Sequence, residues 1–146
     1  MKYLQLSFML IWSITFMACN GNAQTDEQSS TDKSSFVQVI DFHTTHRCVT
    51  CKAIENGAID ALNKHFKSEL DAGTITFQTI NVDEESNYTI AEEFEASGTA
   101  LFINIVSNGV STKVDLTQFG FMNATSDDDS FENGFVDEIN KALNSL

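Results

Sequence analysis

The feature that most constrains this chain is a pair of cysteines placed where a strand pattern changes to a helix pattern. Cys48 and Cys51 stand with two residues between them. Before them, the run from Phe36 to Phe42 (FVQVIDF) is rich in β-branched and aromatic residues and predicts a buried strand. After them, apolar residues recur at spacings of three and four until about Glu69, which predicts an amphipathic helix. The cysteines are therefore expected at the start of a helix that follows a central strand.

The later patterns complete an alternating α/β order. They are a strand, a helix, two strands and a helix, at residues 74–82, 88–94, 100–106, 110–116 and from Asp129 onward. Asn108-Gly109 between the last two strands is a hairpin signal. A right-handed crossover joins parallel strands, and a hairpin adds an antiparallel edge. The order β-α-β-α-β-β-α over residues 36–146 therefore predicts a four-stranded mixed sheet with helices on both faces.

The first 18 residues form a separate segment that predicts export. Lys2 supplies a basic start, and the stretch from Leu4 to Ala18 is almost wholly apolar but too short to span a membrane stably. A small residue followed directly by Cys19 resembles the lipobox of bacterial lipoproteins, in which that cysteine is lipidated. An ordinary cleaved signal peptide is the alternative. Both predict export, and the lipobox implies a cell-envelope protein that faces the periplasm on a lipid anchor.

The segment after the leader and the net charge of the chain lead to two further expectations. Residues 20–35 have no large apolar side chain, so residues 19–35 are predicted to be the lipidated cysteine and a flexible tether. The chain has 8 Lys and Arg against 21 Asp and Glu, a net charge of −13, which becomes about −14 when Lys2 is removed with the leader. Because phosphate binding depends on Lys and Arg, this charge argues against nucleic acid or an anionic bilayer surface as the partner.

The spacing of the two cysteines suits thiol–disulfide exchange. A cysteine in the first turn of a helix faces free backbone N–H groups and the positive end of the helix dipole, which stabilise its thiolate. Cys48 is therefore the predicted nucleophile, and Cys51, about one turn further on, is placed to resolve a mixed disulfide. We expect a redox-active disulfide between Cys48 and Cys51, no bound organic cofactor, and partner protein thiols or disulfides as substrates.

Five residues beside the cysteines are expected to modulate this chemistry or to face the substrate: His46, Arg47, Val49, Thr50 and Lys52. Arg47 and Lys52 flank the pair, and a cation close to the sulfur would favour the thiolate. Both could equally be ordinary surface cations, since adjacency in sequence does not determine side-chain direction. Val49 and Thr50 lie between the cysteines, where they face the substrate and influence the redox potential.

The motif and the element order resemble those of thioredoxin-like proteins. The resemblance rests on Val39 to Phe42 leading into Cys48-Val49-Thr50-Cys51 at a helix start, and it extends over residues 36–146. It implies that Asp41 acts as the buried carboxylate that moves protons for the resolving cysteine. More narrowly, residues 42–55 are similar to the signature of the ArsF-type thioredoxin-like proteins. That family is described as subunits of nitrophenyl-compound nitroreductases.

Two positions depart from the thioredoxin pattern. Thioredoxins carry a cis-proline opposite the dithiol, but this chain contains no proline, and alignment places Thr99 there, with Ala100 as the next possibility. A cis bond before a non-proline residue costs about 2.5–4 kcal/mol, so we expect a trans bond and a different mode of substrate capture. The second departure is the segment from His43 to Arg47, in which the usual aromatic residue ahead of the first cysteine is missing.

The same segment leaves two alternative functions open. His43 and His46 with Cys48 and Cys51 offer imidazole and thiolate ligands, which suit zinc, copper(I) or arsenite. The chain would then be a metal-binding module that serves a membrane transporter. In the other alternative it is the redox subunit of a larger reductase. The oxidoreductase hypothesis itself includes a membrane electron donor among the partners. Because no Gly-rich nucleotide motif is present in the sequence, flavin or nicotinamide would lie on the partner.

Overall fold

The computed structural model describes residues 35–146, so the predicted signal peptide, Cys19 and nearly all of the predicted tether lie outside the described residues. The elements in chain order are β1 (Phe36–His43), α1 (Val49–His65), α2 (Lys67–Ala72), β2 (Ile75–Asn81), a 3₁₀ turn (Glu85–Asn87), α3 (Tyr88–Glu93), β3 (Ala100–Ser107), β4 (Val110–Asp115), α4 (Thr117–Asn123) and α5 (Ser130–Leu143). None of the helices in this part of the chain has the length and apolar content needed to cross a membrane.

The four strands form one mixed sheet in the order β2-β1-β3-β4. β1 and β2 run parallel, and β3 is antiparallel to both of its neighbours, β1 and β4. The register places Phe42 opposite Ala100 and Phe102 opposite Asp115. Consequently β1 ends, β3 begins and β4 ends at the same end of the sheet. This confirms the predicted α/β class and the four-stranded mixed sheet.

Alternate residues of β1 point to opposite faces of the sheet, and each face has its own core. Val37 and Val39 pack with buried residues of α1 and α5 on one face. Ile40 and Phe42 pack on the other face, against Ala91 of α3 and its neighbours. Helices therefore cover both faces, and β1 is buried between them.

Two helical segments differ from the sequence-based expectation. The predicted first helix is interrupted at Phe66, whose backbone has a φ of −131° and whose side chain is buried, so α1 and α2 are separate helices. α4 was not predicted, because its seven residues are too few to reveal a periodicity. It is held by tertiary contacts: Phe119 stacks on Phe131, with ring centroids 5.5 Å apart, and Gly120 packs against Ile54.

The predicted hairpin between β3 and β4 is confirmed. Asn108 and Gly109 both have a positive φ, 53° and 81° respectively. A two-residue hairpin loop of this kind needs positive φ at both central positions, which Asn and Gly adopt most readily. The local sequence therefore sets the register of the edge strand.

Candidate redox site

The two cysteines lie where β1 passes into α1. Cys48 is the N-cap residue of α1, and Cys51 lies in its first turn. Their Sγ atoms are joined in a disulfide, with 5.0 Å between the Cα atoms. Cys48 is exposed, whereas Cys51 is only 7% exposed. The predicted position of the pair is therefore confirmed, and the two sulfurs have different access to solvent.

The local backbone supports a negative charge on the outer sulfur. The backbone N–H of Cys51 donates a hydrogen bond to Sγ of Cys48 at 3.0 Å. Such a bond strengthens when the acceptor is ionised. α1 also has no acidic residue in its first turn, so the positive end of the helix dipole is not neutralised there. A partner's sulfur can reach Cys48 from solvent, while Cys51 is placed beneath it for an internal attack.

Arg47 is part of a partly buried ion cluster. Its Nη2 lies 2.9 Å from Oδ2 of Asp41, and its Nη1 donates to the carboxylate of Glu55. The side chain of Asp41 is completely buried, and those of Arg47 and Glu55 are 17% and 19% exposed. The guanidinium thus bridges strand β1 and the second turn of α1. Arg47 is therefore not an ordinary surface cation, whereas Lys52 is exposed and forms no ion pair with a described residue.

The environment of Asp41 raises the pKa of its carboxyl group above the ordinary value. Burial raises the pKa of Asp41 to about 6; Arg47 and His43 act in the opposite direction, and Glu55 acts in the same direction. The second carboxyl oxygen, Oδ1, is buried and has no hydrogen-bond partner among the described residues. Asp41 follows Val37 and Val39 in the alternation along β1, so it lies on the face that α1 covers. A buried group able to gain or lose a proton near neutral pH thus lies beneath the helix that carries the cysteines.

Hydrogen bonds hold the loop between β1 and Cys48 in place. The backbone N–H of Thr45 donates to Oδ2 of Asp83 at 2.7 Å, and this bond holds the pKa of Asp83 below its usual value. Nδ2 of Asn81 donates to the Thr45 hydroxyl at 3.2 Å. The Thr44 hydroxyl donates to the carbonyl oxygen of His46 at 2.9 Å. The loop that delivers Arg47 and Cys48 is therefore tied to the end of β2.

The structure does not gather the histidines into a metal-ligand set. Nδ1 of His43 lies 3.0 Å from the carbonyl oxygen of Thr44, and His46 is exposed. In residues 35–146, no group of three or more His, Cys, Asp and Glu side chains is arranged to hold a metal ion. The metal-binding alternative therefore gains no support from the described geometry.

The residues expected to face a substrate lie at the same end of the sheet. Ala100 pairs with Phe42 at the end of β1, so Thr99 lies beside the start of the loop to Cys48. Thr99 and Ala100 also line a cleft of about 700 Å³. Every peptide bond in the described range is trans, as expected at Thr99. Between the cysteines, Val49 is 82% exposed and Thr50 is half-buried.

Several residues of the site could not be found from the sequence. Glu55, Asn81 and Asp83 are polar residues with no motif around them, and only the packing of α1 and β2 brings them to the cysteine loop. Comparison with family models gives no match, and no curated protein is significantly similar to the chain.

Proposed function

We propose that this protein is a thioredoxin-like thiol–disulfide oxidoreductase. The observation that carries the proposal is the pairing of an exposed Cys48 with a buried Cys51 at the start of α1. The sheet order and the antiparallel β3 support it, because they place the cysteines and the Thr99 segment at one end of the sheet. Exchange of thiols and disulfides is the chemistry that such a pair performs.

The reaction proceeds in two balanced displacements when the protein acts as a reductant. The Cys48 thiolate attacks one sulfur of the partner's disulfide; that bond breaks, and the departing partner thiolate takes a proton. Cys51 then loses its proton and attacks Sγ of Cys48, which releases the second partner thiol. The partner gains two electrons and two protons, and the protein is left with the Cys48–Cys51 disulfide. Oxidation of a partner dithiol follows the same steps in reverse.

Asp41 is proposed to accept the proton of Cys51. Its burial on the α1 side of β1, its unpartnered Oδ1 and a pKa near 6 support this role. A group with a pKa near the working pH exchanges protons most effectively. Arg47 is then a positioning residue, because it orients the carboxylate without itself gaining or losing a proton.

The cellular setting is proposed from the sequence. A leader that ends at Ala18, directly before a lipidated Cys19, would place the domain in the bacterial cell envelope on a lipid anchor, with the following segment as a tether. Partner thiols or disulfides, including those of a membrane electron donor, would then be within reach. The narrower proposal, a redox subunit beside a larger reductase, is distinguished by finding a second polypeptide that copurifies and carries an organic cofactor.

Trapping of a mixed disulfide tests the proposed function. Incubated in reduced form with a peptide disulfide, Cys51→Ser should accumulate a covalent adduct through Cys48, because the resolving sulfur is gone. Cys48→Ser should form no adduct and should lose turnover. Non-reducing electrophoresis and mass spectrometry identify the adduct. If both variants turn over the peptide as the wild type does, the proposed function is wrong.

The reduction potential of the wild-type pair completes the test. Equilibration in glutathione buffers followed by thiol trapping gives the oxidised fraction. A value near that of thioredoxin indicates a reductase, and a strongly oxidising value indicates a disulfide donor. A pair that forms no disulfide in any of these buffers would reject both roles.

A further inference from the structure

β2 and β4 are the two edge strands of the sheet, and they differ in their protection against pairing with another strand. β4 includes the charged residues Lys113 and Asp115. β2 has the sequence ITFQTIN, which contains no charged residue and no proline. It pairs with β1 residue for residue from Ile75 to Asn81, without a bulge. Since charges, prolines and bulges are the usual means of keeping a strand edge unpaired, β2 lacks all three.

Alternate residues of β2 direct their backbone groups to β1, and the others direct them to the outer edge. The N–H of Val37 donates to the carbonyl oxygen of Thr74, and the N–H of Val82 donates to that of His43. Because the ladder continues between these two bonds, the even-numbered residues from 74 to 82 face β1. The odd-numbered residues face the outer edge; they are Ile75, Phe77, Thr79 and Asn81.

The outward backbone groups are unpaired around the centre of β2. The carbonyl oxygen of Asn81 accepts from Nδ2 of Asn87 at 2.9 Å and from the N–H of Glu84 at 3.3 Å. Within residues 35–146, the hydrogen bonds of turns, loops and side chains involve no backbone group of the other three outward residues. The free stretch is therefore centred on Phe77, whose ring is partly exposed and packs against the core on the α1 face. A free strand edge of this kind accepts an added strand.

We propose that β2 binds the β2 strand of a second copy of this chain, antiparallel and with Phe77 on the twofold axis. Ile75 of one copy then lies opposite Thr79 of the other, and the three free residues of each copy exchange about six backbone hydrogen bonds, two for each opposed pair. The two Phe77 rings meet on the α1 face, which extends the apolar core across the contact.

The free edge fits a second copy because it is self-complementary about its own centre, as a twofold interface requires. The chain has a net charge of −13, yet β2 has no charged residue, so two copies meet where neither is charged. A single pair of strands buries less than the roughly 1,200 Å² of a standard interface, and we therefore expect a weak dimer.

The dimer leaves the two redox sites apart. The cysteines follow the C-terminal end of β1, which runs parallel to β2. In the antiparallel pairing the C-terminal ends of the two β2 strands point in opposite directions, so the two disulfides lie at opposite ends of the combined sheet. The pairing requires no change at either disulfide, and it does not depend on the proposed function.

Single cysteine substitutions at Thr76 and Gln78 test the register and the direction of pairing. In the proposed dimer, Thr76 of one copy lies opposite Gln78 of the other with Cα atoms about 4.5 Å apart, whereas the two Thr76 residues lie on a diagonal of about 7–8 Å. A disulfide spans the first distance but not the second. Thr76→Cys and Gln78→Cys, each in the full chain with Cys48→Ser and Cys51→Ser, are oxidised separately and as a mixture. The mixture should form at least about tenfold more disulfide-linked dimer than either variant alone.

The other edge strand provides a matched control. Val110 and Thr112 are exposed and stand two residues apart on β4, so a mixture of Val110→Cys and Thr112→Cys should form no more linked dimer than the parent chain without an added cysteine. Equal cross-linking by this control mixture, or by Thr76→Cys alone, would overturn the proposal.

Sedimentation equilibrium of the wild-type chain gives an independent check. Association should strengthen as ionic strength rises, because salt screens the repulsion between two copies that each have a net charge of −13. A monomer at every concentration and ionic strength, as expected if residues 1–34 of the same chain cover the edge, would overturn the proposal and leave the redox function standing.

Discussion

The guanidinium of Arg47 lies 2.9 Å from a carboxylate of Asp41 that has no exposed surface. The residue directly before Cys48 is thereby tied to the buried strand, and through Glu55 also to the helix that carries both cysteines. A buried ion pair adds little net stability, but removal of one partner strands the other charge in the interior. Loss of the Arg47 pairing would therefore affect both the stability of the protein and the position of Cys48.

Replacement of Arg47 by Met should destabilise the oxidised protein by about 3 kcal/mol at a pH where Asp41 is ionised, because its charge loses its buried partner. Well below the pKa of Asp41, which is about 6, the loss should be much smaller. Urea denaturation on both sides of that pKa measures this. Glu55→Gln is the control, since it leaves the Arg47–Asp41 pair intact and should change stability by less than about 1 kcal/mol. An equal loss in both variants would contradict the assigned roles.

Asp41→Asn should change how stability depends on pH. The folded protein holds the Asp41 proton up to a pKa of about 6, whereas an ordinary aspartate releases it near 3.8, so wild-type stability falls as pH rises through that window. The Asn variant lacks this term. Relative to the wild type, it should gain at most about 3 kcal/mol between acid and neutral pH. Denaturation of both proteins across the window gives the difference, and a difference that stays constant with pH would count against a raised pKa.

In the reduced protein, Cys48 should react with iodoacetamide at least about tenfold faster than Cys51. Cys48 is exposed at the N-terminus of α1, and Cys51 is 7% exposed. Brief alkylation followed by peptide mass spectrometry measures the two rates. Cys48→Ser provides the control, in which labelling should remain slow. Similar rates at the two sulfurs would remove the basis for assigning Cys48 as the nucleophile.

Gly57→Ala should destabilise the domain even though alanine favours helix. A Cβ at Gly57 would stand 2.8 and 2.9 Å from two ring atoms of Phe131, which is itself stacked on Phe135 with centroids 5.8 Å apart. The clash costs about 1–3 kcal/mol, against a gain of about 1 kcal/mol in helix propensity. Gly98→Ala, with no atom within 4 Å of the added Cβ, should be neutral within about 0.5 kcal/mol. Thermal or urea denaturation compares them, and an unchanged Gly57→Ala variant would show that the ring can move aside.

The elements that could be predicted from the sequence are those whose signals are local. β1, the start of α1, the hairpin at Asn108-Gly109 and α5 each have a periodicity, a cap or a turn signature within a few residues. The break at Phe66 and the helix α4 have no such signal. Phe66 leaves the helical path because its ring is buried in the core, which depends on the position of the sheet below it.

The features of the candidate site also fall into two groups, those that follow from the local sequence and those that follow from tertiary packing. The sequence by itself determined that two cysteines stand one helical turn apart where a buried strand meets a helix, because spacing and periodicity are properties of neighbouring residues. Only the tertiary structure decided that Arg47 binds Asp41 and Glu55, that Cys51 is covered while Cys48 is open, and that Thr99 borders a cleft. Burial, ion pairing and cleft shape depend on side-chain directions and on the removal of water by segments far apart in the chain. These quantities exist only once the sheet and its helices have packed.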